Sequence, residues 1–576
     1  MTASNVTRIN FSPLPTGFEA RPNGDIHRIV EDDEGNRRAP LVCSELHVLA
    51  LTRDRSGAGW GRLVEVIDSD GNAHVWAIPA RMFAGDGAEL RAKLLDLGLY
   101  IAPGPAARYA LADLLQRWRP KDRALSVDRL GWSDETCRSF VLGSGEVIGD
   151  ERAVFQAETI SSAATAMVAA GDLADWRGQV AALCVGNPLM VAAVSLALAG
   201  PLLEPLGLDG GGLHLRGASS SGKSTIQRAA ASVWGGPAFL QSWRATANGL
   251  EALATACNGS VLALDEMGEV SGREAAQAAY MIANGIGKAR ADRTGAARPQ
   301  KRWRTMILSS GEICLADKIA EAGGRTHAGQ HVRLLDVSAD AGQHGAFDHL
   351  HGSESAAAFA DRVRATTATA HGTAGPAFVA KFLDDPEAAK ATAREAMETF
   401  RRDAVELHGV EADGQTQRAA ARLGLIAAAG ELATIFDLTG WPRGAAHDAA
   451  MHILGLWIDG RGGAGPAEAR EAIERVRAFL VTHGDARFER LDPGGDPRPA
   501  IPNRAGWREG ETYYVAADAW REVHRGADPQ RAARYLHDAG YLEGGDGRHL
   551  TRRMSLKHGR PRAYAVTASI MGAGDD

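Results

Sequence analysis

The chain has 576 residues, of which 45% are hydrophobic and 23% charged, and carries a formal net charge of −7. That length exceeds what one hydrophobic core organises, and the composition excludes a wholly disordered chain, so several globular domains are expected. Net acidity excludes a general affinity for nucleic acid, and any such contact has to come from a local basic patch.

Five cysteines (Cys43, Cys137, Cys184, Cys257 and Cys314) lie far apart with no CxxC. This argues for a reducing compartment and against a zinc site or a disulfide framework. The first residues lack the basic-then-apolar layout of a secretory signal. Residues 180–203 carry no charge, but Asn187-Pro188 and Gly200-Pro201 interrupt them. The piece between is too short to cross a bilayer, so a buried helix, no membrane partner and a cytoplasmic protein are expected.

In chain order, residues 1–155 read as a β-rich domain. "GRLVEVIDSDGNAHVWAIP" is two alternating strands around a Ser-Asp-Gly-Asn turn, and "SFVLGSGEVIGD" is a shorter hairpin. Residues 156–210 turn helical. From 211 to 344 short apolar strands alternate with helices, the mark of an α/β sheet, with "GGLHLRG", "GSVLALDE" and "RTMILSSGE" the clearest strands. A strand-like "GPAFLQS" falls between the first two. Residues 345–490 carry helical spacing. After a turn-rich linker, residues 500–576 resemble a winged helix whose wing, "HLTRRMSLKHGRPRAYAV", is basic.

The first α/β strand runs into Gly217, Ala218, Ser219, Ser220, Ser221, Gly222, Lys223 and Ser224, followed by Thr225 and a helical run. This is GxxxxGK[ST] in the strand–loop–helix setting that a phosphate loop needs. Glycines let backbone N–H groups approach a phosphate, the helix N-terminus adds positive potential, Lys223 reaches the β- and γ-phosphates, and Ser224 is a Mg²⁺ ligand. ATP and Mg²⁺ are the implied cofactors.

The apolar strand "VLAL" ends in Asp265-Glu266. Two acids at a strand tip divide the work: Asp265 positions Mg²⁺ and Glu266 polarises the attacking water. Together with the loop they point to the additional-strand, catalytic-glutamate ATPases. Ser309 or Ser310, at the tip of the third strand, is the candidate sensor beside the γ-phosphate. Arg333, one step before the next apolar strand, is the candidate finger for a neighbouring copy's nucleotide, with Arg325 as its rival. Arg418, on a helix beyond the core, stands where a second sensor arginine is expected, with Arg422 one turn later as the alternative.

These residues resemble a bacterial family, domain of unknown function 927, found in prophages and mobile elements. The resemblance rests on "RLGWSDETCRSFVLGSGEVIG", "SWRATANGLEALATACNGSVLALDE", "SSGE" and "GQHVRLLDV". Its members resemble MCM-like, self-loading replicative helicases of the AAA+ class. The resemblance implies a multidomain α/β protein with a central P-loop AAA+ core, acting on DNA as a homo-oligomeric, hexameric ring. It also implies that "GIGKARADRTGAARPQKRWRTM" is a pore hairpin, with Lys288, Arg290, Arg293, Arg298 and Lys301 on phosphates. The residues alone leave two other readings: a non-helicase P-loop ATPase that regulates or remodels, and a DNA-binding scaffold with a structural nucleotide site.

Overall fold

The computed structural model of the chain describes residues 13–31, 35–127, 129–149, 153–156, 162–288, 300–321, 333–410, 414–461, 467–491, 501–545, 549–556 and 559–572. It divides into two compact units, one of Met1–Leu407 with Arg418–Trp457 and one of His408–Gln417 with Ile458–Asp576.

After a three-stranded sheet of Phe18–Ala20, Ile26–Arg28 and Leu41–Cys43, the first unit builds a five-stranded sheet of β1 (Leu46–Arg53), β2 (Gly61–Ile67), β3 (Ala73–Pro79), β4 (Arg123–Val127) and β5 (Ala153–Phe155), in the order β5-β4-β1-β2-β3. β2 and β3 are the antiparallel hairpin expected around the Asp-Gly turn. Helices α1 (Ala88–Asp96) and α2 (Pro105–Arg117) cover it, burying Leu90, Leu94, Leu111, Leu114 and Leu115 against Val48, Val64 and Val66. The hairpin expected in residues 139–150 also forms, as strands Ser139–Val141 and Val147–Gly149.

The uncharged stretch becomes α3 (Pro188–Ala199), in which every side chain from Leu189 to Ala199 is buried. Gly200-Pro201 does not stop it. A 3-10 turn carries the chain on into Leu203–Leu206, because the pyrrolidine ring is tolerated where a first-turn N–H would be unpaired anyway. By length and composition alone the run Pro188–Leu206 could cross a membrane, and 83% of its apolar window is buried inside the protein. It packs on α4 (Lys223–Ala231) and on the central sheet.

That sheet comprises β6 (Gly211–Arg216), β7 (Gln241–Ser242), β8 (Val261–Asp265), β9 (Met306–Gly311) and β10 (Leu334–Ser338), with α5 (Ala247–Ala256) and α6 (Gly272–Asn284) between them. All pairs are parallel and the order is β7-β8-β9-β6-β10. β7 has two residues only: the front of the strand-like "GPAFLQS" forms a 3-10 helix at Pro237–Phe239, with Pro237 at its first position. Buried tryptophans around the sheet each place the indole N–H on an acceptor, Trp234 on Ala197 O at 2.8 Å and Trp132 on Pro201 O at 2.7 Å. The helical region follows as α7 (Ala356–Thr369), α8 (Ala374–Asp384), α9 (Pro386–His408), α10 (Gly414–Ile435) and α11 (Ala445–Gly460).

The second unit holds α12 (Ala467–His483), strands β11 (Phe488–Arg490), β12 (Gly506–Glu509), β13 (Thr512–Ala516), β14 (Arg552–Arg553) and β15 (Arg562–Thr567), and helices α13 (Ala517–Val523) and α14 (Pro529–Asp538). The sheet order is β11-β12-β13-β15-β14. Its core joins Val476 and Leu480 of α12 to Trp520, Leu536 and Val566.

Candidate active site

The glycine- and serine-rich loop of residues 217–222 follows β6 and feeds α4. Gly222, the residue before the helix, has φ +101°, and Ser220 is also left-handed at φ +63°. A Cβ at Gly222 would stand 2.7 Å from the Phe347 ring and 3.1 Å from Ala346 Cβ. Ala346 N donates to Ser221 O at 3.0 Å, so the segment after β10 braces the loop from outside. Lys223 Nζ donates to the carbonyls of Gly217 at 2.8 Å and Ala218 at 2.6 Å. Burial draws its ammonium below the ordinary value, while Glu312 and Asp265 pull the other way. The lysine thus closes over its own loop, on carbonyl partners that a triphosphate would outbid.

The two acids arrive from β8. Ser224 Oγ donates to Asp265 Oδ2 at 2.9 Å, and Ser310 Oγ donates to Asp265 Oδ1. Glu266 takes a left-handed turn, φ +62° and ψ +58°, and its N–H donates to Ser310 Oγ at 3.3 Å and Asp265 Oδ1 at 3.1 Å. A left-handed non-glycine is a local cost, and here it turns the residue out of the strand direction at the tip. Ser224, Asp265, Glu266 and Ser310 therefore meet at the C-terminal edge of the sheet. Two hard oxygens, Ser224 Oγ and Asp265 Oδ2, converge as a Mg²⁺ site needs, with no competing soft donor, so the residues present fit that ion.

Ser309 faces the other way, because strand side chains alternate. It accepts from Trp243 Nε1 at 2.9 Å and lies 2.8 Å from His214 Nδ1, while His214 Nε2 lies 3.1 Å from Ile313 O. Burial holds His214 below its usual pKa. The neutral tautomer with Nε2 protonated completes this chain, Trp243 donating to Ser309, Ser309 to His214 and His214 to the Ile313 carbonyl. Of the two serines, the structure brings Ser310 to the acids and commits Ser309 to the interior.

Arg333 sits before β10, at the opposite edge of the sheet. β6 separates it from the loop by about 17 Å, five steps of about 3.3 Å. Its guanidinium donates to Asn284 Oδ1 and lies 5.5 Å over the Tyr280 ring. Arg422 on α10 is enclosed and donates to Gly210 O at 3.0 Å and Arg333 O at 2.8 Å; burial and the neighbouring Arg333 lower its pKa to about 10. Gly211 makes room for it, since a Cβ there would overlap Arg422 Nη1 at 1.0 Å. Arg418, one turn earlier, is exposed. Arg325 lies outside the described residues.

Lys288 and Lys301 are exposed, beside two segments that pair: Gly287 N donates to Lys301 O at 2.8 Å, and Ile286 bridges Arg302. Arg290, Arg293 and Arg298 lie outside the described residues, as do Arg548 and Lys557 of the expected wing. Trp303 is buried and donates to Ile282 O at 2.9 Å, a packing residue. The sequence reading missed Asn187. It took Asn-Pro as a breaker, whereas the buried amide donates to Leu183 O at 3.1 Å and His349 O at 2.9 Å and accepts from the N–H groups of Asp348 and His349. The Asn-Pro spacing offered no signal for partners 160 residues away.

A family described as "Domain of unknown function (DUF927)" matches residues 18–302. A solved structure described as "SCCmec type IV Cch - active helicase" is similar with a TM-score of 0.67, at 16% identity, over 96% of this chain and 99% of that one. At that identity the likeness speaks for the fold. No curated protein matches.

Proposed function

We propose that the chain is an ATP-dependent DNA helicase or translocase of a bacterial prophage or mobile element, working as a ring, a hexamer, with nucleotide sites at the seams between copies. The observation that carries the reading is the meeting of Ser224, Asp265, Glu266 and Ser310 at the tip of a parallel sheet in which β9 separates the loop strand β6 from the acid strand β8. That insertion is what distinguishes the additional-strand ATPases, and the fold of the similar helicase structure is consistent with it.

In this reading the loop amides from Gly217 to Thr225 receive the phosphates of ATP and Lys223 leaves the Gly217 and Ala218 carbonyls for them. Ser224 and Asp265 hold Mg²⁺, which when bound offsets phosphate charge. Glu266 orients the attacking water, and Ser310 fixes the backbone that presents it. Arg333, remote from the loop of its own copy, stabilises transition-state charge in the adjoining copy's site, and Arg418 and Arg422 lie on the same side as candidate aids. Lys288, Arg290, Arg293, Arg298 and Lys301 hold the phosphates of the strand.

The experiment measures ATP turnover with and without single-stranded DNA and unwinding of a forked duplex. Wild type is expected to hydrolyse faster with DNA and to separate forks, and Glu266→Gln to bind ATP without turning it over. Turnover indifferent to DNA with forks left paired would favour a regulatory or remodelling ATPase. No turnover by wild type would favour a scaffold.

A further inference from the structure

We propose that one end of the N-terminal sheet is a second contact for single-stranded nucleic acid, with Trp60 as a stacking platform inside a basic rim. The register brings these residues together: Thr52 of β1 pairs with Gly61 of β2, Gly61 pairs with Pro79 of β3, and Leu51 lies beside Arg123 of β4. At this end Arg53, Arg119, Lys121 and Arg123 are exposed, and Trp60 is 46% exposed. Arg62 adds a half-buried charge, 5.4 Å over Phe83 and close enough to Arg119 for each to feel the other. Among the described residues the carboxylates here are Asp54, which accepts from Ser56 Oγ and Ala58 N, and Asp122, while Arg55 is matched by Asp134 at 2.6 Å. The rim is therefore cationic on a chain whose formal net charge is −7.

The backbone holding the indole is fixed although the indole is not covered. Gly59 O accepts from Gln156 Nε2 at 2.9 Å and Ser126 Oγ at 3.4 Å, and Trp60 O accepts from Ala80 N at 2.8 Å. Gly61 leaves no room to shift, since a Cβ there would stand 2.3 Å from Ile78 O. Arg123 Nη1 donates to the carbonyls of Pro120, Lys121 and Asp122, each at 3.0 Å, and so shapes the loop that carries Lys121. An exposed aromatic on a preorganised backbone, at a sheet end that also carries Arg and Lys, suits an unpaired base whose phosphates run along the rim. A duplex keeps its base faces stacked and offers none to Trp60, so the partner is a single strand.

The test uses the full chain without nucleotide and labelled oligo(dT), read by anisotropy across a salt series and by quenching of tryptophan emission. Trp60→Ala is expected to bind about tenfold more weakly. Trp60→Phe should keep most of the affinity but lose a share of the quenching. The double variant Arg119→Gln/Lys121→Gln should lower the slope of log K against log salt by about 1.4, about 0.7 per cation. Lys381→Gln, an exposed cation elsewhere, is the control. If Trp60→Ala binds as wild type with undiminished quenching, or the double variant keeps the full slope, the proposal is overturned. Binding is read without ATP, so that failure would leave the ATPase reading standing.

Discussion

Two adjacent serines on one strand face opposite ways and keep different partners. Ser310 spends its hydroxyl on Asp265 and its oxygen on the Glu266 N–H; Ser309 closes a buried chain between Trp243 and His214. Ser310→Ala should leave ATP affinity near wild type and lower kcat about ten- to a hundredfold, since a positioned carboxylate loses its support while the phosphate loop stays intact. Ser309→Ala should do the reverse. It leaves two buried ring N groups short of a partner and should cost about 1–3 kcal/mol of stability with kcat little changed. Steady-state kinetics and thermal unfolding on both variants check the pair, and equal kcat losses would refute the division. The motif around these residues was open to a reader of the sequence, because "SSGE" ends an apolar strand. Period-two alternation says that the serines face opposite ways. It does not say which way is in, because that depends on His214 and Trp243, brought alongside only by strand order.

Elements were legible where the pattern is local and illegible where a distant partner fixes the backbone. The loop between β6 and α4, the acidic strand and both hairpins are written in contiguous residues. The crowding around Gly222 is not, because it comes from Phe347 and Ala346 more than a hundred positions on. The start of α11 is a similar case. No residue next to it announces a cap, yet Glu431 from α10 accepts from Gly444 N at 2.9 Å, Ala446 N at 3.0 Å and His447 N at 3.2 Å. A carboxylate at a helix N-terminus satisfies orphan donors and opposes the macrodipole. Glu431→Ala should therefore destabilise this helix pair by about 1–3 kcal/mol, and Glu431→Gln by less because one acceptor remains. Hydrogen exchange at residues 444–447 reads the effect directly: protection should fall there first. Unchanged protection in the alanine variant would show that the cap contributes nothing.

At the scale of the molecule, the central sheet separates two sets of groups. Lys223, Asp265, Glu266 and Ser310 occupy one edge, and Arg333, with Arg422 bound to its carbonyl, occupies the other. A strand of six residues is too long for Arg333 to serve its own loop, so the arginine acts on a second copy if it acts on nucleotide at all. Mixing tests this. Glu266→Gln and Arg333→Ala should each be inactive alone, since every seam lacks either the glutamate or the arginine. In a mixture at equal amounts, a seam that joins an intact Glu266 from one variant to an intact Arg333 from the other is complete. For random assembly about a quarter of seams meet that condition, so turnover should return to about a quarter of wild type. Recovery requires that copies exchange, which size-exclusion of differently tagged variants establishes independently. With exchange shown and no recovery, each site is built within a single copy, and Arg333 keeps a structural role through its contacts to Asn284 and Tyr280.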